Sequence, residues 1–322
     1  IHRYMNPGTL VVLESTTYPG TTDEVVRPIL EESGLYCGED FFLAYSPERE
    51  DPGNSEHNIR NTPKLVGGVN EESGQLAAML YNCIVDEVIQ VTDARTAEAA
   101  KVLENIYRAV NIALVNELKV LFDRMEIDVW EVIRAASSKP FGFQAFFPGP
   151  GLGGHCIPID PFYLAWRARQ YGFPTRFIEL AGEINTAMPE YVIGKVTDAL
   201  NERGSSVSRS QILILGIAYK KNVGDTRESP ALRLISMLRE KGAQVTYHDP
   251  HVSLLPPENS ELPAMESVTL TPEALQAANL TLVVTDHDAI DFQMVSEHAQ
   301  CIIDTRNVMA PFGDPSSKVI RA

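Results

Sequence analysis

"SQILILGIAYKKNVGDTRESPALRLISMLREKGAQVTYHDP", Ser210 to Pro250, decides the fold. It reads as an aliphatic strand, a polar loop, a helix and a second strand, which is a complete βαβ unit. Downstream, "NLTLVVTDH" (Asn279–His287) and "CIIDTRN" (Cys301–Asn307) supply further strands. Residues from about 209 onward therefore read as a doubly wound parallel domain. Between these strands, "SLLPPENSELPAMES" is proline-rich and polar, the composition of a surface loop.

Upstream the pattern changes twice. "TLVVLEST" (Thr9–Thr16) is a β-branched run, and "TTDEVVRPILEESG" follows with a Thr/Asp start, spaced apolar residues and a final Gly34. "FFLAYSPERE", "KLVGG" and "EVIQV" return to strand, so this part reads as the later half of another doubly wound domain. From Ala94 to Ile127 there is neither glycine nor proline, and Val102, Ile106, Val110, Leu114, Leu118 and Leu121 fall at helical spacing. Such a helix spans roughly 45 Å. Its apolar face suits a helical core or a dimer spine. "VWEVIRAAS" and the stretch from Gly172 to Gly204 continue the helical middle. The expected fold is α/β: two Rossmann-like domains, 1–93 and 206–322, joined by a central helical domain, 94–205.

Composition sets the limits. A net charge of −16 argues against nucleic acid, which needs a basic surface. No apolar run is long enough to span a bilayer, and nothing reads as a signal peptide. Cys37, Cys83, Cys156 and Cys301 are scattered, with no CxxC pair and no His/Cys cluster at metal spacing. A reduced, cytoplasmic protein without a structural metal is expected. The chain opens on Ile1 and enters a strand quickly, so it reads as a fragment joined part-way through a domain.

One loop does not read as core. "PGPGLGGHCIPIDPFYL" (Pro148–Leu164) puts Cys156 after a run of glycine and proline, with Asp160 four residues on. A structural cysteine is usually a small buried hydrophobe. Cations collect elsewhere: Lys220, Lys221, Arg227 and Arg306 lie near the carboxyl ends of expected strands, where such sheets bind ligands. Charge-assisted hydrogen bonds from them suit a diphosphate. The bland alternative is a set of solvated surface cations. GxGxxG is absent from these residues, and "GIAYKK" lacks the glycines of a pyrophosphate cradle.

"ESTTYPGTT", "SPERE", "EAAKVLENIYRAVNIALVNEL", "PGPGLGGHCIPIDP", "GIAYKKNVGDTRESPA" and "IIDTRN" occur in one order. In that order the chain resembles the nucleotide-sugar 6-dehydrogenases almost from end to end. The resemblance implies four-electron oxidation of a UDP-sugar alcohol to a uronic acid with two NAD⁺. It implies that Cys156 is the nucleophile, passing through a thiohemiacetal and a thioester. Lys101 and Asn105, four apart on one helix face, would point into the sugar site, the lysine stabilising an oxyanion and the asparagine positioning a water or hydroxyl. Asp160 would belong to the proton-transfer network, Glu48 would activate water or relay a proton, and Thr16 would lie near the reacting carbon. Thr16 and Glu48 would also face the cofactor. Glycines 151, 153 and 154 would let the backbone approach the sugar. Lys220, Arg227 and Arg306 match UDP-side positions, and Phe162 and Tyr163 would wall the sugar or base pocket.

The segment "KPFGFQAFFPGPGLGGHCIPIDPFYL" looks most like the branch acting on UDP-N-acetylglucosamine, with UDP-glucose and UDP-N-acetylmannosamine as alternatives. "SSKPFGFQAFF" has Lys139 and no arginine, so no contact from a neighbouring subunit is carried over, although a homodimer or higher oligomer is expected. The family's N-terminal Rossmann half is missing from these residues, so this chain alone is expected not to turn over. Three rival readings stand beside it. They are a non-catalytic UDP-sugar-binding protein, a simple two-electron dehydrogenase that needs no thiol, and a structural dimer built on the long helix.

Overall fold

The computed structural model describes residues 1–51, 53, 56–154, 156–257, 262–312 and 318–322. The chain divides into two compact units: Ile1–Arg108 with Ile159–Glu179, and Ala109–Pro158 with Leu180–Ala322.

The first unit is built on a sheet of β1 (Leu10–Leu13), β2 (Phe42–Tyr45), β3 (Lys64–Gly68) and β4 (Val88–Gln90), adjacent in that order. Between β1 and β2 the chain makes a π-helical turn, Thr22–Val26, and runs on into α1 (Arg27–Glu31). Helix α2 (Glu71–Asn82) connects β3 to β4, its N-cap Asn70 accepting from the Ser73 N–H. Both helical crossovers join elements of parallel pairs, β1–β2 and β3–β4. The middle pair is antiparallel, with Ala44 opposite Gly68 and Tyr45 opposite Gly67. Here the sheet departs from the all-parallel order that the sequence suggested. The reason lies in the connection: the described residues between β2 and β3 contain no helix, so the chain doubles back instead of crossing over.

Alternation along the strands fills both faces. Ala44 and Val66 pack on Ala77 and Tyr81 of α2, while Tyr45 and Leu65 pack on Ala94 and Ala97 at the start of α3 (Ala94–Arg124). The small side chains of α3 let its backbone lie close to the sheet. Helix α3 begins where the change of period predicted and stops three residues sooner than the glycine-free stretch, with Glu126 in a left-handed conformation (φ 58°). It belongs to the first unit up to Arg108 and to the second from Ala109. α4 (Val129–Ser137) follows in the second unit, capped by Asp128. Then come α5 (Asp160–Gln170) in the first unit and α6 (Arg176–Glu202), which is again shared.

The second unit carries the βαβ unit first read from sequence: β5 (Gln211–Leu215), α7 (Pro230–Glu240) and β6 (Gln244–His248). After it come a short hairpin of β7 (Leu254–Leu255) and β8 (Met265–Glu266), then α8 (Pro272–Ala277), β9 (Leu280–Val283), α9 (Phe292–His298), β10 (Ile302–Asp304) and β11 (Val319–Arg321). The five-stranded sheet runs β11-β10-β9-β5-β6 and every pair is parallel. One face is covered by Val192, Val196 and Leu200 of α6 with Leu234, Ile235 and Leu238 of α7. Leu275 of α8 and Phe292 and Val295 of α9 cover the other. Two covered faces explain why these strands read as continuous aliphatic runs. The proline-rich stretch expected as a loop begins and ends in the β7–β8 hairpin, and its residues 258–261 lie outside the described set. Among the described residues no helix is long and apolar enough to cross a membrane.

Candidate active site

In the first unit, β1 and β2 are parallel neighbours, so their carboxyl ends open on one edge of the sheet. Thr16 follows β1 there, half-buried, and its hydroxyl has no hydrogen-bond partner among the described residues. Glu48 follows β2. Its Oε1 accepts the backbone N–H groups of Arg49 (2.7 Å) and Glu50 (2.8 Å), and its Oε2 lies 3.4 Å from Nζ of Lys64. Burial pushes the Glu48 carboxyl up, but the Glu50 N–H, the Lys64 charge and the Arg49 N–H outweigh it. The group is held below its ordinary value and is an acceptor at neutral pH. Lys64 is buried and also faces Glu14 at 3.5 Å.

Asn105 and Asp160 are brought together. Both are buried, and the Asn105 amide donates to Oδ2 of Asp160 at 2.6 Å, which joins α3 to the first turn of α5. Lys101 sits one turn earlier on α3, half-buried. Phe162 and Tyr163 follow Asp160 on α5, the phenylalanine exposed and the tyrosine half-buried.

Sequence reasoning missed Glu98, one turn ahead of Lys101. It is fully buried and accepts the N–H groups of Gly20 (2.5 Å) and Thr22 (2.8 Å) and the Thr22 hydroxyl (2.7 Å). It therefore fastens the loop after Thr16 to α3. Burial pushes its carboxyl above the ordinary value, opposed by the hydrogen bonds from Thr22 and Gly20. The hydroxyl of Tyr45, at the end of β2, is buried without a hydrogen-bond partner among the described residues. Burial raises the Tyr45 phenol, and the charges of Glu98, Asp160 and Glu104 add to that.

The second unit holds the other group. Its Gly-rich loop lies in close approach to other parts of the protein. A Cβ on Gly153 would stand 2.7 Å from Cβ of Tyr219 and 3.0 Å from the Glu228 carbonyl oxygen. Gly154 has φ +85°, and a Cβ there would stand 2.9 Å from the Tyr219 ring. The Gly154 N–H donates to the Arg227 carbonyl at 3.0 Å, and the Gly149 N–H to Oδ1 of Asn116 at 3.0 Å. Cys156 follows, exposed and in no disulfide; His155 lies outside the described residues.

Around this loop the predicted cations gather. Lys220 lies half-buried in the segment after β5. Arg227 pairs with Asp225 at 2.6 Å; that hydrogen bond and charge hold its guanidinium above the ordinary value, with Cys156 among the smaller contributors. Arg306, after β10, donates from Nε to the Val284 carbonyl at 2.8 Å, and its Nη1 lies 2.7 Å from where a Cβ on Gly149 would be. Gly153, Cys156, Lys220, Arg227 and Arg306 thus share the carboxyl edge of the second sheet. Asp249 and His287, also missed, lie buried beneath that edge. A polar residue just past each apolar run, at Asp249 and His287, was the available signal.

Two α/β sheets, a helical middle and an exposed thiol on a glycine-rich loop bonded to Arg227 fit a nucleotide-using enzyme. Residues 1–85 match the NAD binding domain of the UDP-glucose/GDP-mannose dehydrogenase family, 95–187 its central domain and 213–311 its UDP binding domain. The chain is 34% identical to UDP-N-acetyl-D-mannosamine dehydrogenase of Methanococcus maripaludis, over 95% of this chain and 68% of the relative. It is 39% identical to UDP-N-acetyl-D-glucosamine 6-dehydrogenase of Pseudomonas aeruginosa, over 79% of this chain and 60% of the relative. The solved UDP-D-ManNAc dehydrogenase of Pyrococcus horikoshii superposes with a TM-score of 0.87 at 32% identity, covering 99% of this chain and 73% of that one. The chain belongs to the UDP-glucose/GDP-mannose dehydrogenase family, as the motifs indicated. Its match to the Pseudomonas relative spans about three fifths of that protein's length.

Proposed function

We propose that this chain carries the substrate-oxidising machinery of an NAD-dependent UDP-sugar 6-dehydrogenase, with UDP-N-acetyl-D-glucosamine as the favoured substrate. The observation that carries this reading is the exposed Cys156 thiol, on a loop hydrogen-bonded through Gly154 to Arg227. Within the reading, 1–93 is cofactor-facing, 94–205 is the helical middle and 206–322 holds the UDP moiety. Lys220, Arg227 and Arg306 meet the diphosphate, Gly153 beds the loop beside it, and Phe162 and Tyr163 wall the sugar or base.

The first unit fits the nicotinamide end of NAD: the half-buried Thr16 hydroxyl and the Glu48 carboxylate stand at the carboxyl edge of parallel strands. When bound, NAD⁺ supplies the hydride acceptor for both oxidations. The protein's own steps follow from its side chains. Cys156 as thiolate adds to the C6 aldehyde, forming a C–S bond and sending the carbonyl π pair to oxygen. Lys101 stabilises that oxyanion, while Asn105, held by Asp160, places a hydroxyl or water. After C6 has lost its hydride the species is a thioester. Glu48, kept ionised by the Glu50 N–H and by Lys64, takes a proton from the attacking water; the C–S bond breaks, and carboxylate and thiol are released.

A second reading, UDP-N-acetylmannosamine as substrate, is favoured by the Methanococcus relative's match over 95% of this chain. A homodimer along α3 fits the exposed Leu103, Tyr107, Leu114 and Leu121, which fall on one face. That none of the four cysteines is in a disulfide fits a cytoplasmic setting. The test is product analysis of the intact enzyme with each candidate UDP-sugar. We expect two NADH per uronic acid, and accumulation no further than aldehyde in Cys156→Ala. Undiminished uronate from that variant overturns the mechanism, and UDP-sugar binding with no oxidation supports a non-catalytic binder instead.

A further inference from the structure

The strand order β11-β10-β9-β5-β6 reverses between β9 and β5, and in open parallel sheets the ligand crevice lies above the carboxyl ends at that reversal. The two loops that flank it are Gly216–Asn222, after β5, and Val284–Asp288, after β9. A buried dyad below them fixes both. Asp249, just beyond β6, accepts the N–H groups of Ile217 (2.7 Å) and Ala218 (3.0 Å) on Oδ2, and those of His251 (2.8 Å) and Val252 (3.1 Å) on Oδ1. The same Oδ2 lies 3.1 Å from Nε2 of His287, and neither side chain is exposed to solvent.

The other ring nitrogen of His287 settles its tautomer. Nδ1 faces the backbone N–H of Asn222 at 2.9 Å. A backbone N–H only donates, so Nδ1 carries the lone pair and the ring proton sits on Nε2, directed at Asp249. Asp249 therefore holds the start of the Gly216–Asn222 loop directly and its end through the imidazole. The flanking ties agree. The Thr285 hydroxyl donates to the Ala218 carbonyl (2.6 Å), and Asn222 (φ 60°) exchanges two hydrogen bonds with Asp288, from its amide to Oδ2 (2.6 Å) and back from the Asp288 N–H (3.0 Å).

Only the segment Tyr219–Lys221 lies between these anchors, and it carries Lys220. We propose that Asp249 and His287 are positioning residues that pre-form this loop for the diphosphate of a nucleoside diphosphate sugar. The proposal rests on the UDP-sugar reading above. Neither residue touches the ligand. Their effect is to settle the loop's conformation before binding, so that association does not have to order it.

Calorimetric titration of the protein with UDP tests this with four variants. Lys220→Ala checks the underlying reading: unchanged UDP affinity there removes the ligand, not the dyad. His287→Ala removes both hydrogen bonds of the ring and is expected to weaken UDP about tenfold. In His287→Asn the amide oxygen stands near the place of Nδ1 and can still accept from Asn222, so most of the affinity returns. His287→Gln keeps only the donor toward Asp249, so its affinity stays low. If Lys220→Ala loses UDP while Ala, Asn and Gln at 287 all bind it like the parent, the dyad's role is overturned, whatever their melting temperatures. If the Ala variant does not fold, the order Asn tighter than Gln decides. Nitrogen-15 shifts of the His287 ring give an independent reading: a proton on Nδ1 overturns the proposal, and one on Nε2 upholds it.

Discussion

Asn105 and Asp160 show what a single buried contact contributes. Asn105 is 6% exposed, and its amide donates a hydrogen bond to the carboxylate at 2.6 Å. Asp160→Ala leaves that amide in a dry site without its acceptor, a loss of about 1–3 kcal/mol. We expect urea unfolding to report it, with uronate formation falling by a larger factor than stability explains. Glu98 makes a pH prediction. Its folded value is raised by burial, so the native state holds this proton more tightly than the unfolded chain does. Stability from this group is greatest in acid and declines as pH rises from the ordinary carboxylate range through the raised value. Glu98→Gln has no proton to lose, so its stability should be flatter across that window in denaturation at stepped pH. An equal slope in both proteins would show that another group sets it.

At the scale of elements, the Gly-rich loop and α6 explain one another. Pro189 inside α6 has no N–H, so the carbonyl of Asn185, four residues back, loses its helical partner. Gly151, at φ +138°, packs there: its Cβ position lies 3.6 Å from the Asn185 oxygen and 3.7 Å from Cδ of Pro189. A helix that tolerates proline thus offers a seat to the loop that carries the thiol. Gly153→Ala pushes a methyl group into Tyr219 and the Glu228 carbonyl, and overpacking of that kind costs about 1–3 kcal/mol. We expect a lower melting temperature and slower oxidation together, with Gly154→Ala worse because its backbone is left-handed as well. The sequence made the loop legible as a functional element, because so many glycines and prolines around one cysteine have no use in a core. It did not reveal what the glycines approach. Tyr219 and Glu228 lie more than sixty residues away along the chain, and only the fold brings them there. Period and punctuation located α3, α6 and the βαβ unit for the converse reason: those signals are local. The antiparallel β2–β3 step was hidden because pairing direction depends on a connection whose path the residues do not announce.

For the molecule as a whole, the family motifs carried the assignment, and the buried polar residues that support them stayed invisible. Lys64, Glu98, Asp249 and His287 act by partnership. A single sequence shows each one only as a charge or ring out of pattern. The exposed stripe on α3 belongs to this scale too. Leu114 and Leu121 are seven residues apart and about half exposed, an arrangement that pays a hydration penalty unless another surface covers it. Glutamate at both positions should shift the protein to a monomer in light scattering, while UDP binding is retained. An unchanged mass would place the oligomer contact elsewhere or rule it out.

The dyad beneath the second sheet also limits how that sheet can be redesigned. Dinucleotide-binding sheets end the strand after their glycine turn with an acid that reads a ribose hydroxyl. Asp249 occupies that station, yet both of its oxygens are engaged by the protein itself. Grafting a glycine fingerprint onto Gly216–Lys221 would therefore give a phosphate turn without a sugar reader. A laboratory that wished to make this half of the chain take an adenine dinucleotide would first have to release the carboxylate, and in doing so would dismantle the loop it meant to use.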